Sequence, residues 1–213
     1  NDLFETINQN SNNLIKNNYP NYIVKSDDNS VSISLEKANS IIEHFWYALS
    51  LCHTCSMEEN DDGIKEYICV SPDSIELVKA AMNQGYKLIE TSINTKTVRI
   101  AGKDFSYEIL KVLGFSSERK RMSIIVKDKH GIKLYSKGAD TEISKRLSKK
   151  SLHSESYEVI TNGLLEFSRK GLRTLMIAYR KIKEDDYTSW INKLHEDELN
   201  VKNKHRLLER LYD

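Results

Sequence analysis

The sequence contains few of the residues and runs that mark several protein classes. Two prolines and eight glycines occur in 213 residues, and no Pro- or Gly-rich linker divides the middle, so this length favours one domain over two. No run of about 18 apolar residues is present, so this piece is not predicted to span a membrane. A net charge of +1 lacks the basic excess of a general nucleic-acid surface, so we expect no nucleic-acid partner.

Two common phosphate-binding loops are also missing. None of the glycines stands in a Gly-x-x-x-x-Gly-Lys-Ser/Thr or a Gly-x-Gly-x-x-Gly pattern. A nucleotide would therefore have to be held by side chains rather than by a glycine-rich backbone loop.

Three cysteines, an odd number, fit a reducing compartment better than a disulfide framework. The run Cys52-His53-Thr54-Cys55 suggests a metal or redox pair, but no second pair of ligands stands at zinc spacing. Helical periodicity and the tendency of free cysteine to behave as a small buried hydrophobe favour a structural role. We therefore predict no metal site.

The beginning of the chain differs in composition from the rest. Residues 1–37 are rich in Asn, Ser and Asp, which predicts a loop region with one short strand at Tyr22–Val24. Residues 38–213 are predicted to form a single domain. The chain starts with Asn1 rather than Met and has no signal-peptide pattern, so we expect a piece excised from a longer chain whose targeting segments lie elsewhere.

Hydrophobic periodicity and turn residues predict the elements of this domain. Helices are predicted from Ser40, as N-cap, to about Cys55, from Pro72 to a C-terminal cap at Gly85, over 141–147 and over 156–169. Strands are predicted at 67–70, 86–90, 97–100, 107–113, 122–126, 132–136 and 172–179, the last one central, with an acidic loop at 58–63. The tail 185–213 is helix-prone, with Trp190, Leu194, Leu199, Leu207, Leu208 and Leu211 as candidate buried positions. The fold class is α+β, with a mostly antiparallel twisted sheet flanked by helices.

A candidate ligand site lies at one edge of the hairpin formed by strands 122–126 and 132–136. Phe115 offers a flat apolar face, and Lys137 places a cation at a strand end. Gly138 has no Cβ that would keep a ligand away from the backbone. These features together suit a purine base that carries phosphates. In the adjacent run Arg119-Lys120-Arg121, strand alternation would place Arg119 and Arg121 on one face and Lys120 on the other.

Four runs in this order resemble the nucleotide-binding domain of P-type ATPases: Ser71-Pro72-Asp73, Phe115 through Met122, Lys137 through Asp140, and Gly171 through Leu175. The runs Phe45 through Thr54 and Arg119 through Ser123 are similar to the type IV branch, the phospholipid flippases. The resemblance covers roughly residues 40 to 190. Each motif is weak alone, and their order and spacing make the match specific.

The resemblance implies roles for individual residues. Phe115 would stack on adenine, Lys137 would line the pocket for base and phosphates, and Arg173 would reach the phosphates. Ser117 and Thr174 would add polar contacts, and the expected site also includes Asp73, Ser74 and Gly138. Taken alone, a phenylalanine is more often a core residue and an arginine a surface ion-pair partner.

Ser74 departs from the family pattern, which reads Ser-Pro-Asp-Glu. The usual glutamate accepts a hydrogen bond from the adenine amino group by resemblance, and it stands where it could close a capping box with Ser71. A serine carries no such charge, which puts base discrimination in doubt.

The family's Asp-Lys-Thr-Gly-Thr motif, whose aspartate is phosphorylated, does not occur in this chain, nor does its Asp-Gly-x-x-x-Asp hinge. The resemblance therefore implies a piece that binds ATP without turning it over, has no catalytic residue, and relies on Mg²⁺ held mainly elsewhere. The implied function is that of the cytosolic ATP-binding domain of an integral-membrane phospholipid-translocating ATPase. Its partners would be ATP, the phosphorylation and actuator domains, a phospholipid and a membrane accessory subunit.

Two alternatives stay open. Ser74 favours a degenerate flippase-like domain that serves as a regulatory or interaction module. A cation-pumping relative is disfavoured by Cys52-His53-Thr54 and by Arg119 through Met122.

Overall fold

The computed structural model of the protein describes residues 35–59, 62 and 65–199. Residues 42–213 belong to one compact unit, within which all contacts given below lie, and residues 1–41 to another. The described helices are α1 (Leu35–Leu51), α2 (Pro72–Asn83), α3 (Asp140–Ser144), α4 (Lys149–Leu152), α5 (Glu155–Arg169) and α6 (Glu184–Leu199). The described strands are β1 (Ser56–Glu59), β2 (Lys65–Ile68), β3 (Tyr86–Thr91), β4 (Thr95–Ile100), β5 (Lys103–Leu113), β6 (Arg121–Asp128), β7 (Gly131–Gly138) and β8 (Met176–Ile182).

Six strands form one antiparallel sheet in the order β3-β4-β5-β6-β7-β8. Each strand pairs with its neighbour in the chain, and β1 and β2 form a separate antiparallel pair. None of the described helices is long and apolar enough to cross a membrane. The α+β fold with a mostly antiparallel sheet and flanking helices is therefore confirmed.

The predicted hairpin is present as β6 and β7, which pair from Arg121 with Gly138 to Asp128 with Gly131. Gly131 has φ +104°, a conformation that favours glycine and lets the chain turn tightly into β7. Successive side chains alternate between two faces of the sheet. As a result, Met122 and Lys137 lie on one face, and Ser123 and Ser136 lie on the other.

The core lies on the face of the sheet that carries Met122. Its buried members come from α1 and the turn after it, from α2 and from strands β3 to β7: Ala48, Leu51, Cys52, Cys55, Val78, Leu88, Val98, Tyr107, Met122, Ile124, Val126 and Tyr135. Burying such side chains contributes roughly 1.5–3 kcal/mol each for the larger aliphatic ones. The helices α1 and α2 are thereby held over the strands that end at the candidate site.

The ends of α2 follow the sequence signals. Ser71 is the N-cap, Pro72 occupies the first helical position, and Gly85 follows the C-cap with φ +87°. Helix α1 differs from the prediction, because it begins at Leu35, so Ser40 lies inside the helix rather than at its N-cap. It ends at Leu51, where Cys52-His53-Thr54-Cys55 forms a turn instead of continuing the helix.

Several other predicted elements need correction. The predicted strand from Leu172 begins only at Met176 and lies at an edge of the described sheet, not in its centre. The acidic run begins within a strand, since Glu58 and Glu59 belong to β1.

Of the candidate buried positions in the tail, Leu194 is fully buried and Leu199 is exposed. The predicted strand at Tyr22–Val24 and the positions Leu207, Leu208 and Leu211 lie outside the described residues.

Candidate functional site

The candidate site is a corner of the sheet where β7 ends beside the first turn of α2. Lys137 stands opposite Met122 on β6 and Ile177 on β8, so it lies inside the sheet rather than at an edge. Its side chain is 7% exposed, and Nζ donates a hydrogen bond to Ser74 Oγ at 3.1 Å. Two predicted site residues that are 63 positions apart are therefore in direct contact.

Ser74 uses its side chain differently from a capping-box residue. It is buried and turned towards the sheet, where its hydroxyl oxygen accepts from Lys137. Ser71 makes no side-chain cap bond at the start of α2. The residue at position 74 thus belongs to the ligand corner and not to the helix cap.

An ion pair adds two more predicted residues to this corner. Arg173 Nη1 lies 3.0 Å from Asp73 Oδ1, next to Ser74 in the first turn of α2. The Arg173 side chain is 85% exposed and that of Asp73 is half exposed. An exposed pair of this kind is worth about 0–1 kcal/mol, so Arg173 can leave Asp73 for a phosphate at little cost.

The structure explains why residue 138 is a glycine, and the explanation differs from the ligand approach that the sequence suggested. A Cβ at this position would lie 2.5 Å from the carbonyl oxygen of Lys120 and 2.6 Å from Cβ of Arg121. The same carbonyl accepts a hydrogen bond from the backbone N–H of Ala139 at 3.0 Å. The missing side chain therefore admits the protein's own loop, and Gly138 itself is buried.

That loop, residues 114–120, presents Phe115. Arg119 donates to the carbonyl of Gly114, its backbone N–H donates to Ser116 Oγ at 3.2 Å, and Lys120 N–H donates to the carbonyl of Ser116 at 2.8 Å. Phe115 is nevertheless 67% exposed. A fastened loop thus holds an aromatic ring towards solvent, where its face is open to a stacking partner.

Ser117 and Thr174, the other two residues predicted to make polar contacts, lie in segments beside the corner. Ser117 is exposed in the same loop, and Thr174 is half-buried in the segment that leads to β8. Their backbone neighbours belong to the corner, because Phe115 lies two residues before Ser117 and Met176, paired with Gly138, lies two residues after Thr174.

The basic triplet is arranged differently from the predicted alternation. Only Arg121 begins a strand, while Arg119 and Lys120 lie in the loop, and Lys120 has the left-handed φ of +48°. This strained conformation places Lys120 directly against Gly138. The sequence placed Lys120 in the basic triplet beside the site, and the structure shows that its backbone carbonyl is the group that meets Gly138.

The turn after α1 forms the support beneath Lys137. Cys52 Sγ donates to the carbonyls of Met122 and Tyr135, each at 3.6 Å. Lys96 Nζ donates to the carbonyls of Leu51 and His53, both at 2.7 Å, and so caps the C-terminal end of α1. Burial raises the pKa of Cys52 to about 11 and lowers the pKa of Lys96 to about 8.

His53, in its neutral form, holds the turn after α1 together by hydrogen bonds. Burial, reinforced by the charge of Lys96, lowers the pKa of His53 well below its usual value. We assign its proton to Nε2, which donates to the carbonyl of Ser50 at 2.8 Å, so that Nδ1 accepts from the N–H of Cys55 at 3.0 Å. The Cys-His-Thr-Cys run is therefore a hydrogen-bonded turn. The described residues contain no group of three or more His, Cys, Asp or Glu side chains that could hold a metal.

A cavity lies elsewhere in the described part of the chain. It measures about 740 Å³ and is bounded by Ser123 and Ser136, on the face of the sheet opposite Lys137. The corner is formed where α2, the loop 114–120 and the end of β7 meet. Chemically it offers the exposed ring of Phe115, the cations Lys137 and Arg173, and the hydroxyl of Ser74 beside Lys137.

Comparison with known proteins identifies relatives of this chain. The family model described as "P-type ATPase, cytoplasmic domain N" matches residues 41–208. Phospholipid-transporting ATPase IC of Mus musculus is 38% identical over 81% of this chain and 14% of its own length.

Two further relatives carry similar names. Phospholipid-transporting ATPase C887.12 of Schizosaccharomyces pombe is 40% identical over 79% of the chain and 13% of its own length. Phospholipid-transporting ATPase FetA of Mus musculus is 38% identical over 87% of the chain and 16% of its own length. The chain thus spans only a small part of the length of these curated relatives.

Proposed function

Because the chain belongs to the family of P-type ATPase cytoplasmic N domains, we propose that it binds ATP at the corner formed by Phe115, Lys137 and Arg173, with Gly138 admitting the loop that carries Phe115. The supporting observation is that Lys137 contacts Ser74 and Arg173 pairs with the neighbouring Asp73. The loop that carries the exposed ring of Phe115 packs against Gly138, the residue after Lys137. Phe115 stacks on the base, and Lys120 and Lys137 attract the phosphates. Ser117 and Thr174 add polar contacts at the edges of the site.

Arg173 moves in this proposal. In the unliganded arrangement it pairs with Asp73 at 3.0 Å. A phosphate carries more negative charge than a carboxylate and offers bidentate geometry, so it competes successfully for the guanidinium group. ATP binding therefore releases Asp73, which is then free to hold a hydrated cation or the ribose.

The parent protein in this proposal is a phospholipid-translocating ATPase of a membrane, and this chain is its cytosolic nucleotide-binding domain. The names of the relatives support this assignment. The domain presents the γ-phosphate to an aspartate of a neighbouring phosphorylation domain, and domain closure brings the two together. Mg²⁺ neutralises the transferring phosphate and is held mainly outside this chain. The actuator domain, a phospholipid and an accessory subunit are the remaining partners.

A second function has one observation in its favour. Ser74, where the family pattern has a carboxylate, gives Lys137 a neutral partner, so a degenerate domain that binds nucleotide weakly and serves regulation is the alternative. Nucleotide affinity separates the two functions.

The test is calorimetric titration of ATP into the 213-residue chain and into Phe115→Ala. Stacking of a base on an aromatic ring is worth about 1–3 kcal/mol, so Phe115→Ala should weaken ATP binding roughly fivefold or more. Ile93→Ala removes another highly exposed apolar side chain, in the turn between β3 and β4, and should leave affinity unchanged. Equal affinity of wild type and Phe115→Ala, with both folded, contradicts the site; no measurable ATP binding in wild type favours the regulatory module.

A further inference from the structure

A second site lies on the face of the sheet that the nucleotide corner does not use. The cavity of about 740 Å³ falls within the usual size range of small-molecule sites, about 300–1,000 Å³. Its floor is formed by β6, β7 and β8, and its walls by α3 and α4 on one side and α6 on the other. The lining residues used below are Arg121, Arg146, Arg180, Asp186, Tyr187 and Trp190.

The wall formed by α6 is fastened to the sheet near both ends. Lys127 on β6 pairs with Glu184 at 2.6 Å, and Lys111 on β5 pairs with Glu198 at 3.1 Å. Between these pairs Leu194 is fully buried. The distance between α6 and the far wall is therefore set by packing and not by a ligand.

The opposite wall is also connected to the sheet. Tyr157 on α5 donates its hydroxyl to Ser144 Oγ at 3.0 Å, and Ser144 in turn contacts the sulfur of Met176 on β8 at 3.7 Å. Ile143, which lines the cavity, is buried. Both walls are thus anchored, so the space between them is a built feature of the fold.

The lining of the cavity is cationic. Among the described residues that line it, Arg121, Arg146 and Arg180 carry guanidinium groups and Asp186 carries a carboxylate. Arg121 is buried and donates to the carbonyl of Arg119 at 3.3 Å. Glu142 offsets part of this charge, because its carboxylate lies 3.1 Å from Arg146. Arg180, on β8, is therefore the guanidinium group that an entering anion would meet. Guanidinium groups favour anions with planar or tetrahedral oxygen arrays.

The rest of the lining is apolar and aromatic. Tyr187 and Trp190 stand on α6 with ring centroids 6.2 Å apart, and Ile125, Leu134 and Ile182 line the floor. A fully polar anion such as inorganic phosphate would leave this surface in contact with water. A ligand with an apolar body would cover it and gain hydrophobic free energy.

We propose that this cavity binds a compact organic anion, which places an aromatic or aliphatic body against Tyr187 and Trp190 and one phosphate- or sulfonate-like head against Arg180 and its neighbours. The site is separate from the nucleotide corner, because strand alternation places Ser136 and Lys137 on opposite faces. The proposal therefore does not depend on where, or whether, ATP binds.

The probe for the test is 8-anilinonaphthalene-1-sulfonate, compared with its uncharged relative N-phenyl-1-naphthylamine. The sulfonate should bind with increased fluorescence and quench Trp190, and Arg180→Gln should weaken it about fivefold or more. The affinity for the uncharged relative should change less than about twofold on the same substitution. Arg99→Gln, which removes a guanidinium group on the remote strand β4, is the matched control and should leave the affinity for both probes unchanged.

A filling variant tests the same cavity without changing its charge. Ala178 lies on its floor, so Ala178→Phe should abolish binding of both probes while the circular dichroism spectrum stays unchanged. Decyl phosphate and naphthyl phosphate, used as competitors, distinguish an aliphatic from an aromatic body. ATP should not displace the sulfonate.

Two results would overturn the proposal. If Arg180→Gln and Ala178→Phe both bind the sulfonate as wild type does, the probe lies elsewhere on the protein. If ATP and the sulfonate compete for one site, the anion site and the nucleotide corner are the same.

Discussion

We expect position 74 to decide how the domain distinguishes ATP from GTP, and a matched pair of substitutions measures this. Ser74 Oγ accepts from Lys137 at 3.1 Å, so its own O–H is left to donate. A donor can serve adenine through a ring nitrogen and guanine through its carbonyl. We therefore expect wild type to bind ATP and GTP with affinities that differ less than about tenfold, since a neutral hydrogen bond contributes only about 0.5–1.5 kcal/mol.

Ser74→Glu places a carboxylate acceptor at the same point. It accepts from the amino group of adenine but repels the carbonyl of guanine, and a hydrogen bond to a charged group contributes about 1.5–3 kcal/mol. Lys137 also pairs with the new carboxylate, which reduces the gain. The expected result is a few-fold tighter binding of ATP, with GTP unchanged or weaker. Glu76 cannot supply this charge, because it is exposed on α2 and pairs with Lys79.

Ser74→Gln is the control, because glutamine has the length of glutamate without its charge. Its amide both donates and accepts, so the ratio of ATP to GTP affinity should stay near that of wild type. Both nucleotides are titrated into all three proteins at one salt concentration, and urea unfolding verifies that the larger side chains are accommodated at this buried position. A strong ATP preference in wild type, or identical ratios for Ser74→Glu and Ser74→Gln, would refute the reasoning.

Three further predictions concern the support of the site and its chemistry. Gly138→Ala should cost roughly 1–3 kcal/mol of unfolding free energy, measured in urea, because the added Cβ meets the carbonyl of Lys120 at 2.5 Å. Gly163→Ala, in the open middle of α5, should instead stabilise the protein by about 0.5–1 kcal/mol. As the pH rises from 8 to about 10, the stability of wild type relative to Lys96→Met should increase, measured by thermal unfolding. With γ-labelled ATP and Mg²⁺, the chain should neither take up phosphate nor release it, as scintillation counting of the precipitated protein will show.

The sign of the Lys96 effect follows from its pKa of about 8 in the folded protein, below the ordinary 10.5. Between these values the folded state has lost a proton that the unfolded state still holds, so the free energy of unfolding rises with pH. Comparison with Lys96→Met removes the contribution of Cys52 and other groups whose raised pKa acts in the opposite direction. A pH dependence identical in the two proteins would contradict the assignment, and an acid-resistant label in the ATP experiment would show that the chain holds its own phosphate acceptor.

Local patterns were sufficient for most of the elements. The alternation in β6 and β7, Pro72 at the start of α2 and Gly85 at its end depend on interactions within a few residues, and all were predicted. Helix α1 was harder to predict, because its N-terminal turn begins five residues before the residue taken as its cap. The place of β8 at an edge of the described sheet was beyond local patterns, since it depends on which strand finds which neighbour.

The candidate site also has a part that the sequence predicted and a part that only the tertiary structure decided. From the sequence alone, Phe115 and Lys137 were candidates on chemical grounds and by their motifs, and Arg173 was a candidate by its motif. Tertiary structure decided the contacts among the site residues. Lys137 meets Ser74, and Arg173 meets Asp73. The backbone carbonyl of Lys120 occupies the space that a side chain at Gly138 would need. Each contact joins segments that only the order of the strands and the packing of α2 bring together. The arginine-lined cavity has the same origin: its residues come from seven separate helices and strands, and no local pattern in a chain can specify where such distant segments meet.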